Sequence, residues 1–150
     1  MKVFLLLSLL LVSTPFVYAN PSAQSSVAAT VRHEARVQAK GPGHGKAQIK
    51  ELATGKNAFI GRLWLAPHAK VPKHRDPTEE YLYIISGSGV LSIDGVEQEI
   101  GTGMAIFMPA GSEVSFVNGA QPLVALQVFA GAESAQKYAT WPNINPSLAK

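Results

Sequence analysis

After about residue 48, apolar and polar residues alternate along most of the chain with a period of two. In AFIGRLWLAP, Phe59, Gly61, Leu63 and Leu65 fall on one side, and Ile60, Arg62, Trp64 and Ala66 on the other. That is the pattern of a strand whose two faces meet different surroundings. YLYIIS is short and rich in β-branched and aromatic residues. In GVLSIDGVEQEI, Asp94-Gly95 separates two strand-like runs, which predicts a hairpin closed by a primed turn. GTGMAIFMPAGSEVSFVN predicts two strands around Pro109-Ala110-Gly111, and PLVALQVFAG the last long one. Proline and glycine fall between the runs, where they spare the ladder hydrogen bonds. Nothing is long and periodic enough for alternating βαβ units. Short strands with turns about every 8 to 12 residues predict an all-β sandwich or barrel in a single domain.

The flanks read differently. MKVFLLLSLLLVSTPFVYAN has one charge at Lys2, an apolar run and a small-residue end at Val17-Tyr18-Ala19. This is the layout of a signal peptide over residues 1–19, and it predicts a periplasmic or extracellular protein. The uncharged stretch, 17 residues from Val3 to Ala19, is short for a membrane span and is interrupted by Pro15. No stable span is expected after processing. Residues 20–47 read as a flexible arm, in which VRHEARVQAKG is either a short helix or irregular. His44, in the turn-rich GPGHGK, reads as an exposed loop residue. The barrel is assigned to residues 48–135 and a tail to 136–150, where Trp141 is expected to cover a barrel edge.

Composition narrows the function classes. The chain has no cysteine, so disulfides do not stabilise it. The formal charge of +3 falls to +2 without Lys2, twelve basic residues then facing ten acidic ones. The basic residues are scattered, which argues against a nucleic-acid partner.

The candidate chemistry is concentrated in HRDPTEE, where His74, Asp76, Glu79 and Glu80 precede an apolar strand. Glu79 and Glu80 point to opposite faces once the strand begins, so only one faces a cavity. HAKVPKHRDPTEEYLYIISG resembles the first motif of the cupin family: glycine, five residues, His-x-His, three or four residues, glutamate, six residues, glycine. His74, Glu80 and Gly87 match; Asp76 stands at the second histidine and His68 at the opening glycine. GMAIFMPAGSEVSFVN resembles the second motif. There Gly103, Pro109, Gly111 and Asn118 match, and Val114 replaces a histidine. The resemblance implies a jelly-roll β-barrel.

In metal-binding relatives the two motifs hold Mn, Fe, Ni, Cu or Zn through three histidines and a glutamate. Carried over by position, the resemblance supplies His74, Asp76 and Glu80 as metal ligands and nothing at Val114. It also places Glu80 toward the cavity, as a proton acceptor in any catalysis, and Glu79 outside or at the rim. One histidine with two carboxylates favours hard ions such as Mn²⁺ or Fe²⁺ over Zn, Ni and Cu. Asp76 reads equally as a ligand or as a turn residue before Pro77. A metal-free His74–Glu80 pair is the other option. His68 is expected at the surface or mouth. Apolar lining candidates are Phe59, Leu63, Leu65, Tyr83, Ile85, Met104, Ile106, Phe116, Leu126 and Val128; alternation does not say which face is interior.

The resulting expectation is a secreted cupin acting on a small oxygenated organic molecule, as a metal-dependent oxygenase, isomerase or lyase. The alternative is a metal-free binding or sensing module. Family likeness further implies a homodimer.

Overall fold

A computed structural model of the chain describes residues 28–144. The segment read as a signal peptide and the last six residues lie outside that range. Ten strands form in chain order: β1 (Ala39–Lys40), β2 (Ala47–Thr54), β3 (Phe59–Leu65), β4 (Lys70–Arg75), β5 (Glu79–Ser86), β6 (Ser88–Ile93), β7 (Val96–Gly101), β8 (Ala105–Met108), β9 (Glu113–Asn118) and β10 (Leu123–Ala130). They make two antiparallel sheets, ordered β1-β2-β3-β10-β5-β8 and β4-β9-β6-β7. From β3 to β5, and again from β8 to β10, successive strands change sheet, which is the jelly-roll arrangement. A 3₁₀ turn at Glu34–Arg36 precedes the strands, and a 3₁₀ segment at Glu133–Thr140 follows them.

Period-two side chains give each strand an inner and an outer face. In β10, Leu123, Ala125, Gln127 and Phe129 are buried, while Leu126 and Val128 on the opposite face are half-buried. In β5, Glu80 and Ile84 are buried and Leu82 half-buried; Tyr81, Tyr83 and Ile85 are 42–50 % exposed. Tyr83, Ile85, Leu126 and Val128 therefore lie on the outer face and Met104 is exposed, and the place of all five among the candidate lining is corrected. The reason is register: β5 pairs Glu80 with Phe129 and Met108, which puts its even-numbered residues inside. Phe59, Leu65 and Phe116 are buried within the fold.

Local signals behave as turn chemistry requires. Asp94 and Gly95 take φ +49° and +83°, closing the β6–β7 hairpin. Gly87 has φ +89°, and a Cβ there would lie 2.5 Å from the Pro122 carbonyl oxygen. His68, at the position where the resembled motif has glycine, also takes a positive φ of 57°.

Asn118 ends β9 and ties it to two loops. Its side chain is buried, and Nδ2 donates to the carbonyls of Ala66 (2.7 Å) and Gln121 (3.0 Å), with that of Leu65 at 3.4 Å. Asn118→Ala is expected to lower unfolding stability in urea by about 1–3 kcal/mol, because buried carbonyls lose their donor. Asn118→Asp, which replaces the donor with acceptors, is expected to cost at least as much.

Candidate functional site

The two sheets enclose a cavity of about 370 Å³. Its wall is mostly apolar, with Leu82, Met108, Val114 and Phe116 among its residues. The polar groups come from three places. His74 stands on β4 in the four-stranded sheet, Glu80 and Gln127 on β5 and β10 in the six-stranded sheet, and Lys137 and Tyr138 on the C-terminal 3₁₀ segment. Exposed His44, Lys46 and Lys70 border the same cavity at its open side.

Glu80 is the most buried of the acidic groups, its residue only 7 % exposed. Gln127 donates Nε2 to Glu80 Oε1 at 2.6 Å, and Gln127 Oε1 accepts from the Tyr138 hydroxyl at 2.8 Å. Burial raises the Glu80 carboxyl pKa above the usual carboxylate value and outweighs the opposing hydrogen bond from Gln127. Burial likewise pushes the Tyr138 phenol up, with the negative charge of Glu80 adding to the effect. Tyr138 therefore stays a neutral donor. Glu79, one residue earlier, is exposed and accepts from the Tyr81 hydroxyl at 2.8 Å.

His74 lies on an edge strand, where Pro72 is tolerated because no ladder bond is lost. Its Nδ1 lies 2.9 Å from the Pro72 carbonyl oxygen, which makes Nδ1 the protonated nitrogen. Nε2 is 3.6 Å from Asp76 Oδ2. The neighbouring Asp76 carboxylate raises the His74 pKa, against the effect of burial. Asp76 follows β4 in the turn held by the bond from Gly111 N to its own carbonyl, at 2.8 Å. Both its carboxylate oxygens accept from Lys137 Nζ, at 3.0 and 2.7 Å. Burial works to raise the Asp76 pKa, but the neighbouring His74 and the bonds from Lys137 prevail and hold it low. Asp76 stays ionised.

The fold thus brings His74 and Asp76 together, and sets Glu80 on the opposite sheet within reach of the same cavity. It does not make them a three-donor set. Among the described residues, no three His, Cys, Asp or Glu side chains are placed to share an ion. The donor chemistry agrees: Lys137 covers both oxygens of Asp76, and Val114, paired with His74 across β4 and β9, offers no lone pair. The arrangement does not fit the divalent metal that the first motif implies.

Three contributors escaped sequence reasoning. Gln127 carried a usable signal, as a polar residue in the inward phase of an otherwise apolar strand. Tyr138 and Lys137 carried none, since only docking of the 3₁₀ segment brings them to the barrel. His44 is exposed, as expected, yet also borders the cavity. Trp141 borders it too, its ring edge-on to Tyr138 at 4.8 Å between centroids. His68 is exposed on the loop before β4.

The profile of the cupin domain matches residues 61–129. A dimethylsulfoniopropionate lyase, DddW of Ruegeria pomeroyi, is 30 % identical over 96 residues, covering 61 % of this chain and 63 % of that protein. The match spans less than two thirds of the lyase's length. An RmlC-like cupin from Shewanella frigidimarina superposes with a TM-score of 0.66 at 16 % identity, over 73 % of this chain and 96 % of that one. The polyketide cyclase RemF of Streptomyces resistomycificus gives 0.60 at 26 % identity, over 68 % of this chain and 79 % of that one.

The raised Glu80 pKa has a consequence for stability. A carboxyl that holds its proton more tightly in the folded state stabilises the fold fully at pH below its unfolded pKa. That contribution is lost as pH rises through the folded pKa. Glu80→Gln keeps an acceptor for Gln127 and cannot ionise. It is expected to melt higher than wild type at pH 8, with the difference closing as the pH falls to about 4. Differential scanning calorimetry across that range checks the sign.

Proposed function

Residues 61–129 make this chain a member of the cupin family, and on that footing we propose that it is a small-molecule enzyme working by proton transfer at Glu80. The observation that carries this reading is the placement of Glu80. Its carboxyl sits in an apolar wall, one oxygen is held by Gln127, and the side chain faces the cavity. A buried carboxylate is more basic than one in water, which suits it to accept a proton from a bound ligand. The Gln127–Tyr138 chain orients that carboxyl and supplies no competing base. His74 stands on the opposite sheet with a raised pKa, and serves as the second proton-handling group.

The ligand is a small organic molecule with an apolar body and an oxygenated, anionic end. The apolar wall supports the first feature, and the lysines and His44 along the open side support the second. The similarity to proteins named as a lyase and a polyketide cyclase supports a reaction on an organic molecule, of lyase type in the first case.

Dimethylsulfoniopropionate and pentane-2,4-dione are suitable first probes, followed by proton NMR in D₂O for elimination or for C–H exchange. Wild type is expected to accelerate at least one of them. Glu80→Gln is expected to lose about 100-fold or more of that rate, the usual worth of a general base. Equal rates for wild type and Glu80→Gln on both probes, including no turnover by either, would sink the proposal.

Two further properties belong to the same reading. Export after removal of residues 1–19 delivers the protein to the periplasm or beyond. A second copy of the chain covers the outer face of the six-stranded sheet, where Tyr81 pairs with Phe107 on one side and Val128 on the other, and Tyr83 with Leu126. Tyr81, Tyr83 and Phe107 are 42–50 % exposed there, a contiguous aromatic face of the kind that marks contact sites. One preparation from the exported fraction tests both. Its intact mass should correspond to a chain starting at Asn20, and light scattering should give twice that mass, falling to one copy for Tyr83→Lys. An unprocessed chain contradicts the first property, and a monomeric wild type the second.

A further inference from the structure

Three elements converge on the segment between β4 and β5. Asp76 sits there beside His74, and Thr78 follows it with Oγ1 2.5 Å from Ser134 Oγ. Ser134 and Tyr138 are both buried, so the 3₁₀ segment is pinned on either side of Lys137. The Lys137 side chain, 36 % exposed, starts from that pinned backbone and turns its ammonium toward Asp76. It bonds both oxygens of Asp76 and lies 4.8 Å from the centre of the Phe129 ring and 5.6 Å from that of Tyr138. Ring faces attract a cation, and Asp76 is mostly shielded from water, with a side chain 14 % exposed. The ammonium is thus fixed by a carboxylate and two aromatic rings at the edge of the cavity that His74 and Glu80 also line.

We propose that Lys137 is the resident cation of this barrel: its ammonium takes the carboxylate that a divalent metal would need, and so keeps the His74, Asp76 and Glu80 site free of metal. The charge arithmetic is consistent. A divalent ion entering beside His74 Nε2 and Asp76 would stand next to a positive charge already held there, and like charges at close range repel. Val114 opposite His74 offers nothing to offset that repulsion. The positive field of Lys137 reaches all three groups and favours their unprotonated forms, although the Asp76 neighbour of His74 and the burial of Glu80 outweigh it at those two. A metal would be expected to act on them in the same sense. Removing the ammonium then uncovers a histidine and a carboxylate already 3.6 Å apart, with Glu80 on the facing wall.

The inference deepens the proton-transfer reading by naming the cation of that site, and its test is independent of turnover. Purified wild type, Lys137→Met and Lys137→Arg are titrated with Co²⁺, followed by calorimetry and by the visible absorption of bound cobalt. Lys137→Met is expected to bind on the order of tenfold tighter than wild type or better, a change of about 1.4 kcal/mol. Lys137→Arg, which keeps a cation on Asp76, is expected to match wild type. A gain below about tenfold in Lys137→Met overturns the proposal, whether both proteins bind tightly or neither binds. Lys137→Gln, which keeps the alkyl stem over Phe129, takes the place of Lys137→Met if that variant does not melt cooperatively. Failure of the NMR test with a positive titration removes the reaction and leaves the cation; the converse result removes the cation alone.

Discussion

A carboxyl group does not stay inside an apolar barrel without hydrogen bonds, and the chain from Tyr138 through Gln127 to Glu80 supplies them. Three separate parts of the sequence must be in place for it: the start of β5, the middle of β10 and the C-terminal 3₁₀ segment. The antiparallel register of β5 on β10 brings Glu80 and Gln127 to the same inner face. Docking of the 3₁₀ segment through Phe59, Phe129 and Tyr138 then closes that end of the barrel with apolar contacts. The polar chain and the apolar closure are one construction, because the Tyr138 ring packs where its hydroxyl must reach.

The same closure decides the electrostatics. Adjacent to Tyr138, Lys137 is carried to Asp76 and covers both its oxygens. Asp76 is therefore kept ionised as the partner of an ammonium, while Glu80, deeper and bonded only by a neutral amide, is pushed toward its protonated form. Two carboxyls from one short segment are driven apart by what faces them. That separation is the physical basis for assigning them different work: charge pairing to Asp76, proton exchange to Glu80.

Much of the fold was legible because strand alternation and turn chemistry are local. Asp94-Gly95 needed only its two positive φ values to predict a hairpin, and Gly87 and Asn118 held the places that the resembled motifs give them. The inner face was not legible in the same way. Tyr83 and Ile85 qualified as lining by apolarity alone, yet pairing of β5 with β8 and β10 turns them outward. Alternation states that two faces differ, and the identity of the buried one is a matter of partners. His68 shows a further limit, since a positive φ at a non-glycine residue leaves no mark in the surrounding pattern.

By itself the sequence determined the all-β class, most of the strands from Phe59 onward, the turns between them and the residues of HRDPTEE that carry chemistry. Each of these depends on neighbours within a few positions, through side-chain period and backbone dihedral preference. Only the tertiary structure decided which group stands beside Asp76. Lys137 lies 61 residues away and has no periodic or motif signal of its own. Its approach is set by the burial of Ser134 and Tyr138 against the barrel, an interaction between distant surfaces that no local pattern encodes.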